Sequence, residues 1–370
     1  MKNSQKDMLE HSKAKVSLLK AYLEAYLGVI SNGGYTDAIH FIDMFCGEGV
    51  YPNGEEGSPL VIARGLDKLC KARSGKWIPK LHFTWNDVDL AKVELVSRKL
   101  ADDQIGVDSH VILSQCNLEY SEILRMAMKC VSGLSNKQKA FLFIDPYGYK
   151  DVKPAHIREL LQGGHSELLL FQPTQHLFRF SERGTPPALS DFMKEVSEGN
   201  DWPVGLSVRE YIRHTTELFR NYLGGKFFVD TFTIEKERPK AVFCLFFFSP
   251  HIRGFEKMLE AKWKMDSDSG QGWHYQDAMQ GFDLFNQPQT NLLETHLDHK
   301  MRSRPAWSNG ELYEMILRQG FLPKHGREIL THWQQAGKIL VSPVNRKGVF
   351  YLSYKDFKEQ PMKIQVSVVS

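Results

Sequence analysis

The sequence has few of the features that mark membrane-embedded or disulfide-stabilised proteins. Its longest apolar run, residues 241–248, has eight residues, whereas a helix that crosses a bilayer needs about 20. The five cysteines are odd in number and widely spaced, so neither a disulfide framework nor a metal site is indicated. The first residues are polar and lack the apolar segment of a signal peptide. We therefore expect a soluble, cytoplasmic protein with reduced cysteines and no membrane partner.

The chain also lacks a strong net charge, internal repeats and low-complexity segments. Lys and Arg number 47 against 44 Asp and Glu, which gives a net charge of +3 over 370 residues. Apolar residues make up 42% of the chain, and this excludes a wholly disordered or collagen-like protein. At roughly 100–200 residues per domain, the length predicts two or three domains.

Short apolar runs alternate with helical patterns over the first half of the chain. The apolar runs predict strands at 39–45, 81–85, 110–113, 140–144 and 167–171, and the helical patterns lie at 8–30, 58–72, 89–101, 119–131 and 154–162. This alternation predicts an α/β doubly wound, Rossmann-like sheet with helices on both faces. A helix at 207–222 and a hairpin of 227–235 with 241–249 would add an antiparallel edge. The layout is similar to that of class I methyltransferases, although other doubly wound folds share most of it.

The predicted first domain covers residues 1–266, with a proline- and glycine-rich insertion at 173–206. Residues 267–302 are rich in Gly, Gln, Asp and Asn and predict a linker. Residues 303–358 predict a separate domain with a helix at 309–319 capped by Ser308 and a second helix from Pro323 to about 336. Two short strands are predicted around the turn at 345–348. Helix, helix and β-ribbon together predict a winged helix-turn-helix.

The first motif is a buried strand that ends in a small-residue turn around Asp43, Phe45, Gly47 and Gly49. In doubly wound folds the ligand lies at the carboxyl ends of the strands, and glycines allow the backbone to approach it closely. This turn has two glycines, whereas a dinucleotide-binding fingerprint requires three. Asp43 is placed to meet a cationic or water-bridged group, such as the amino-acid end of S-adenosylmethionine. The alternative is an ordinary strand-to-helix turn.

Two polar positions after the next strands are further cofactor candidates. Asp87 follows the second strand, where a carboxylate can accept from both hydroxyls of a ribose. Asp89 is interpreted as the cap of the following helix. Asn117 follows the third strand and is a candidate for the edge of an adenine, with the backbone as an equal alternative. Ser58 before Pro59 is interpreted as a structural helix cap.

The sequence Asp145-Pro146-Tyr147-Gly148 directly after the fourth strand is the most informative motif. It resembles the D-P-P-Y signature of enzymes that methylate exocyclic amino groups of bases, and resembles more closely the D-P-F-G of tRNA guanine-N2 methyltransferases. The resemblance implies that Asp145 and the backbone at Pro146 accept hydrogen bonds from the target amine, and that Tyr147 stacks on the base. Such a base must be single-stranded or flipped out. The alternative is a turn of purely structural use.

Taken together, the motifs resemble the three-Cys-motif partner (TcmP) family over roughly residues 8–354. The segments that carry the resemblance are Phe41-Ile42-Asp43-x-Phe45-x-Gly47-x-Gly49-x-Tyr51, Gly57-Ser58-Pro59-Leu60, Asn86-Asp87-x-Asp89 and Phe143-Ile144-Asp145-Pro146-Tyr147-Gly148-Tyr149-Lys150. It implies a methyltransferase-like fold with a C-terminal winged helix. It also implies a functional link with a separate radical S-adenosylmethionine protein that carries a three-cysteine cluster. Cys46 and Glu48 depart from the family pattern, and Glu48 places a second carboxylate in the cofactor turn.

Basic residues are concentrated near the end of the chain. Residues 300–358 contain eleven Lys or Arg and four Asp or Glu, so this segment carries about +7 and the rest of the chain about −4. The candidate contacts to nucleic acid are Lys324, His325, Arg327 and His332 on the second helix and Arg346 and Lys347 in the turn. The alternative for this domain is a protein-binding module.

Three functions remain compatible with these patterns. The first is an S-adenosylmethionine-dependent methyltransferase that acts on DNA or RNA, at an exocyclic base amino group. The second is a non-catalytic adaptor that binds nucleic acid and presents it to the radical enzyme. The third is a transcription regulator with a ligand-sensing α/β domain. Gln172 and His176, which follow the fifth strand, are further candidates for contacts to a substrate base, and Arg179 and Arg183 for contacts to phosphate.

Overall fold

The computed structural model describes residues 10–31, 34–51, 53–148, 152–172, 187–199, 206–236, 241–274, 290–344 and 348–369. These residues form two compact units. The first holds the described residues up to 251 together with 272–274, and the second holds 252–271 and the described residues from 290 onwards. The predicted division placed 252–266 with the first domain. None of the described helices is long and apolar enough to cross a membrane.

The first unit alternates strands and helices, as the sequence predicts. Its strands are β1 (Ala38–Asp43), β2 (Lys80–Asn86), β3 (Val111–Cys116), β4 (Gln138–Ile144), β5 (Ser166–Gln172), β6 (Phe228–Lys236), β7 (Ala241–Ser249) and β8 (Gly272–His274). Its helices are α1 (Glu10–Ile30), α2 (Ser58–Ala72), α3 (Leu90–Asp102), α4 (Tyr120–Ser132), α5 (Pro154–Leu161), α6 (Pro187–Val196) and α7 (Val208–Leu223). Each predicted strand and helix of the first half is present within about three residues of its predicted ends.

The strands form one sheet in the order β3-β2-β1-β4-β5-β7-β6-β8. The first five in this order are parallel, and β7 runs antiparallel to both β5 and β6. This is the Rossmann-like order of class I methyltransferases, with the predicted hairpin at its edge. The strand order reverses between β1 and β4, so the carboxyl ends of these two strands flank the crevice in which such folds bind ligands.

Both faces of the central strands are buried, which explains their nearly continuous apolar sequences. On one face, α1 packs the rings of Tyr22 and Tyr26 against Phe41 and Phe141. On the other face, side chains of β1, β4, β5 and β7 form a core with α4, α5, α6 and α7. Full burial of an aliphatic or aromatic side chain contributes roughly 1.5–3 kcal/mol. The packed core therefore fixes the strand ends that carry the site.

The second unit contains α8 (Ile252–Met265), α9 (Asn291–Met301), β9 (Trp307–Ser308), α10 (Asn309–Arg318), α11 (Pro323–Gln335), β10 (Ile339–Ser342), α12 (Tyr354–Glu359) and β11 (Gln365–Val368). The three strands form an antiparallel sheet in the order β10-β11-β9. Ser308 caps α10 as predicted, by accepting from the backbone N–H of Glu311. The helix α9 and the strand β8 lie inside the predicted linker.

The predicted ribbon partner of β10 is wrong. The sequence places it directly after the turn at 345–348, but the structure pairs β10 with residues 365–368, beyond the predicted end of the domain at 358. Residues 349–352 are in no strand. Among them Phe350 and Leu352 are buried instead, so their apolar character comes from packing in the core of this unit and not from strand pairing.

Candidate active site

Three carboxylates lie together at the carboxyl edge of the sheet. Asp43 ends β1, Asp87 follows β2 and Asp145 follows β4. The strand β1 lies between the other two and is paired in register with both, Asp43 opposite Trp85 and Phe143. The predicted positions of these three residues at one edge are therefore confirmed, and their mutual repulsion is part of the electrostatics of the site.

Asp43 is fully buried, and its carboxylate accepts hydrogen bonds from two groups. Oγ of Ser58 donates to Oδ2 at 2.6 Å, and the backbone N–H of Phe45 donates to Oδ1 at 3.3 Å. Burial raises the pKa of Asp43 to about 7, the two hydrogen bonds oppose this rise, and the charges of Asp145 and Asp87 add to it. Asp43 therefore changes its charge near neutral pH.

The interpretation of Ser58 as a helix cap is wrong. Gly57 occupies the cap position of α2, no side chain there accepts a capping hydrogen bond, and Ser58 is the first helical residue. The Ser58 hydroxyl is instead committed to Asp43. A Ser-Pro pair at a helix start is compatible with either role, so the sequence could not distinguish them.

The glycine turn after β1 has the backbone conformation that the motif requires. Gly47 has φ +61° and Gly49 has φ +74°, both in the left-handed region that disfavours side chains. A Cβ at Gly49 would lie 2.7 Å from Cγ2 of Val96. The backbone N–H of Gly57 donates to the carbonyl of Gly49 at 2.6 Å, which closes the loop between them into a compact hairpin at the edge of the site.

Asp87 is completely buried and accepts hydrogen bonds from the loops around it. The backbone N–H of Gly47 donates to Oδ2 at 3.1 Å, and that of Asp89 donates to Oδ1 at 3.0 Å. Asp87 thus ties the glycine turn to the end of β2. Asp89 caps α3 by accepting from the backbone N–H of Ala91 at 3.0 Å, as the sequence predicts.

Tyr147 reaches across the end of β1 to Asp87. Its hydroxyl donates to Oδ2 of Asp87 at 2.7 Å and accepts from Nζ of Lys92 at 2.8 Å. The same ammonium lies 4.6 Å from the centre of the Tyr147 ring and 4.0 Å from Oδ1 of Asp87. The edge-to-face contact with Phe45 has a centroid separation of 6.1 Å. The sequence pairs Tyr147 with the substrate only, so its hydrogen bond to Asp87 is a new element of the site.

Two asparagines hold the strand ends in place. Nδ2 of Asn86 donates to the carbonyls of Met44 and Leu118, both at 3.1 Å, and its Oδ1 accepts from the backbone of Leu118. Nδ2 of Asn117 donates to the carbonyls of Asp87 and Val88 at 2.9 Å. The Nδ2 group of Asn117 is therefore bonded to the β2–α3 loop, and the predicted contact of this residue with an adenine stays a prediction.

Asp145 is paired with a lysine that the sequence does not single out. Nζ of Lys15, from α1, forms an ion pair with Oδ2 of Asp145 and lies 4.0 Å from the centre of the Phe171 ring. The Lys15 side chain is only 10% exposed. Pro146, the residue after Asp145, is buried. The pattern of an amphipathic helix contains several lysines, and nothing in it distinguishes the one that meets Asp145.

Other residues from the sequence motifs have different environments. Burial, with the charges of Asp43 and Asp87, raises the pKa of the Cys46 thiol, so this thiol stays neutral. Glu48 is exposed.

Gln172 is 5% exposed, and its Oε1 accepts no hydrogen bond from a described residue. His176, Arg179 and Arg183 lie outside the described residues.

In the second unit, Lys324 and Arg327 are exposed on α11, and His332 is exposed one turn further on. His325 is fully buried, so its prediction as a surface contact is wrong. Its Nδ1 accepts from the backbone N–H of Leu322 at the start of the helix. Trp263 is buried and bonded to the carbonyl of Gly320. Arg346 and Lys347 lie outside the described residues.

A scan against protein-family models finds no match, and a search of curated proteins finds none. Among solved structures, the O-methyltransferase TomG from Streptomyces achromogenes, in complex with S-adenosylmethionine, is 13% identical, covers 64% of this chain and 79% of its own, and has a TM-score of 0.33. A candidate O-methyltransferase from Klebsiella pneumoniae is 12% identical, with coverages of 61% and 79% and a TM-score of 0.31. A candidate rRNA methylase from Clostridium thermocellum is 10% identical, with coverages of 60% and 93% and a TM-score of 0.29. Because these TM-scores are below 0.5, no property of these proteins is transferred to this chain.

Proposed function

We propose that the protein is an S-adenosylmethionine-dependent methyltransferase that acts on an exocyclic amino group of a nucleic acid base. The observation that supports this most is the placement of Asp43, Asp87 and Asp145 at one edge of a sheet with class I methyltransferase order. Each is the first carboxylate at the end of its strand. The edge therefore offers acceptors for the amino-acid end, the ribose and the target amine at three adjacent positions.

The residues at this edge fit the cofactor chemically. Asp43 would hold the amino group, Asp87 the ribose hydroxyls, and the backbone of Phe45, Gly47 and Gly49 would lie against the ligand. Lys15 and Lys92 balance two of the three carboxylates, so the cluster has a net charge of about −1 when all five groups are ionised. Bound S-adenosylmethionine carries a net charge of +1 and supplies an activated methyl group, so that no metal is required by the chemistry.

The chain's own residues would position the nucleophile. Asp145 and the carbonyl of Pro146 accept from the two hydrogens of the target amine, which fixes the direction of the nitrogen lone pair. The negative charge of Asp145 also stabilises the positive charge that develops on this nitrogen. Tyr147 stacks on the base, and Gln172 offers a buried acceptor on the neighbouring strand. Such positioning is the main contribution an enzyme can make when the methyl donor is already reactive.

Cofactor binding is expected to release a proton from Asp43 below neutral pH. The pKa of Asp43 is raised to about 7, and an ammonium group beside it favours the ionised form. Affinity should therefore weaken as pH falls below 7, by up to about tenfold per pH unit, and level off above pH 8. Calorimetry at pH 6 in buffers of different ionisation enthalpy measures the released proton. The Asp43→Asn variant serves as the control and should release none; equal release by both proteins would contradict the assignment.

We further propose that the second unit is a winged helix that binds the phosphate backbone of DNA or RNA. The element order α9, β9, α10, α11, β10, α12, β11 supports this, because apart from the inserted helix α12 it is the order of that module. Lys324 and Arg327 are one turn apart and exposed on α11, and no described acidic side chain forms an ion pair with either. Lys338, by contrast, pairs with Asp298 at 2.7 Å.

Removal of these two charges should weaken nucleic acid binding uniformly across sequences. Each lost phosphate contact is expected to reduce the slope of log K against log salt by about 0.7–0.9, so that the Lys324→Ala/Arg327→Ala variant loses about 1.4–1.8 in slope. Fluorescence anisotropy with unrelated single- and double-stranded oligonucleotides measures this loss. Lys338→Ala is the matched control. An unchanged slope in the double variant would assign the unit to protein binding instead.

The second candidate function is that of a non-catalytic partner of a radical S-adenosylmethionine protein, which the resemblance to the three-Cys-motif partner family implies. The ion pair of Lys15 with Asp145 favours it, because the proposed acceptor for the amine is already occupied by a residue of the chain. An adaptor with a closed site would leave nucleosides unmethylated while still binding nucleic acid. Lys15→Met distinguishes the two, since an enzyme should keep or gain methyl transfer when Asp145 is uncovered.

A further inference from the structure

Tyr147 covers the carboxylate that the proposed function assigns to the ribose. Asp87 is 0% exposed, whereas Tyr147, whose hydroxyl bonds to it, is 66% exposed. The phenol therefore lies on the solvent side of Asp87 and is bonded to it directly. A ligand that enters from solvent meets Tyr147 before it meets Asp87.

The acceptor capacity of Asp87 is almost fully used. An ionised carboxylate offers about four lone-pair positions. The backbone N–H of Asp89 uses one on Oδ1, and the backbone N–H of Gly47 and the Tyr147 hydroxyl share Oδ2. One position remains, whereas the two hydroxyls of a ribose need one on each oxygen. The two backbone donors are fixed by the fold, so the phenol is the group that can leave.

The hydrogen bond to Asp87 also holds the ring of Tyr147 in one orientation. Nζ of Lys92 lies 4.6 Å from the ring centre, and the Phe45 ring contacts it edge to face. Together with the hydrogen bond to Asp87, these contacts set the direction of a ring that is largely exposed to solvent. The ring can therefore turn toward a base elsewhere in the site only after its hydroxyl has left Asp87.

We propose that Tyr147 contacts first Asp87, in the cofactor part of the site, and then the target base. It occupies Asp87 while the ribose is absent, and the ribose hydroxyls release it to stack on the target base. The inference rests on the proposed function and makes substrate binding follow cofactor binding. Lys92 stays within reach of Asp87 after Tyr147 has left, since its ammonium is already 4.0 Å from Oδ1, and so keeps the buried carboxylate compensated.

The test is the affinity of the Tyr147→Phe variant for ligands with and without a ribose diol, measured by calorimetry on the full chain. Without the competing hydroxyl, S-adenosylmethionine and adenosine should bind roughly three- to tenfold more tightly, which corresponds to one lost internal hydrogen bond. For 2′,3′-dideoxyadenosine the variant should bind no more tightly than the wild type. Tyr120→Phe is the matched control and should change none of the affinities, because its hydroxyl bonds to Nδ1 of His156.

The outcomes separate this inference from the proposed function. If the wild type binds S-adenosylmethionine and Tyr147→Phe binds it equally or more weakly, Tyr147 is not a competitor of the ribose and the inference is overturned alone. An equal gain for dideoxyadenosine also overturns it, since the diol would then not be the group that displaces the phenol. If neither protein binds S-adenosylmethionine, the proposed function fails and the inference fails with it.

Discussion

Replacement of Asp145 by alanine is expected to abolish methyl transfer, with a loss of about 10²-fold or more, while cofactor affinity stays within about twofold. The reason is that Asp145, which follows β4, is proposed to meet the target amine, whereas Asp43 and Asp87 are proposed to hold the cofactor. On this proposal the variant removes the acceptor that orients the amine and the negative charge that stabilises the developing cation. The loss is measured as the rate at which a labelled methyl group is transferred to nucleic acid. This nucleic acid is taken from cells that lack the protein.

The variant needs a control because alanine leaves the ammonium of Lys15 unpaired in a site where it is only 10% exposed. Loss of one partner of a partly buried pair can destabilise the fold. The double variant Asp145→Ala/Lys15→Met removes both charges and should be equally inactive while it unfolds at the wild-type temperature. Glu48→Gln removes an exposed carboxylate of the neighbouring turn and should keep full activity. Wild-type transfer by Asp145→Ala would contradict the assignment.

Replacement of Asp87 by asparagine is expected to weaken S-adenosylmethionine binding by roughly 10- to 100-fold. The amide keeps the shape of the side chain but loses one acceptor and the charge, and a hydrogen bond to a charged group contributes about 1.5–3 kcal/mol. Equilibrium dialysis with the labelled cofactor measures the change.

The same substitution two residues further along provides the control. Asp89 is an exposed helix cap whose carboxylate accepts from Ala91, and asparagine caps helices about as well as aspartate. Asp89→Asn should therefore leave both affinity and stability unchanged. Equal affinities for Asp87→Asn and the wild type would remove Asp87 from the cofactor site.

The sequence predicts the sheet and the three carboxylates because both depend on local patterns. Buried parallel strands give continuous apolar runs, and polar residues at their carboxyl ends must meet at one edge. Helix α2 begins and ends at the predicted residues because Pro59 marks its start and the helical spacing of its apolar residues marks its length. Asp43, Asp87 and Asp145 could thus be placed without knowledge of any tertiary contact.

The partners of these carboxylates could not be predicted in the same way. Lys15 lies 130 residues from Asp145 and Tyr147 lies 60 residues from Asp87, and both contacts depend on how α1 and the β4 loop are packed. The predicted strand after the turn at 345–348 is wrong for a similar reason. Phe350 and Leu352 have strand-like alternation, but both are buried, and the true partner of β10 follows a further helix.

Mass spectrometry of total nucleosides tests most directly whether the protein methylates nucleic acid. DNA and RNA are compared from cells with the protein, without it, and without it but supplied with the Asp145→Ala variant. We predict a methylated nucleoside that is present only with the wild-type protein. Identical nucleoside profiles in all three, from a protein that binds S-adenosylmethionine in vitro, would contradict the claim and favour the non-catalytic partner.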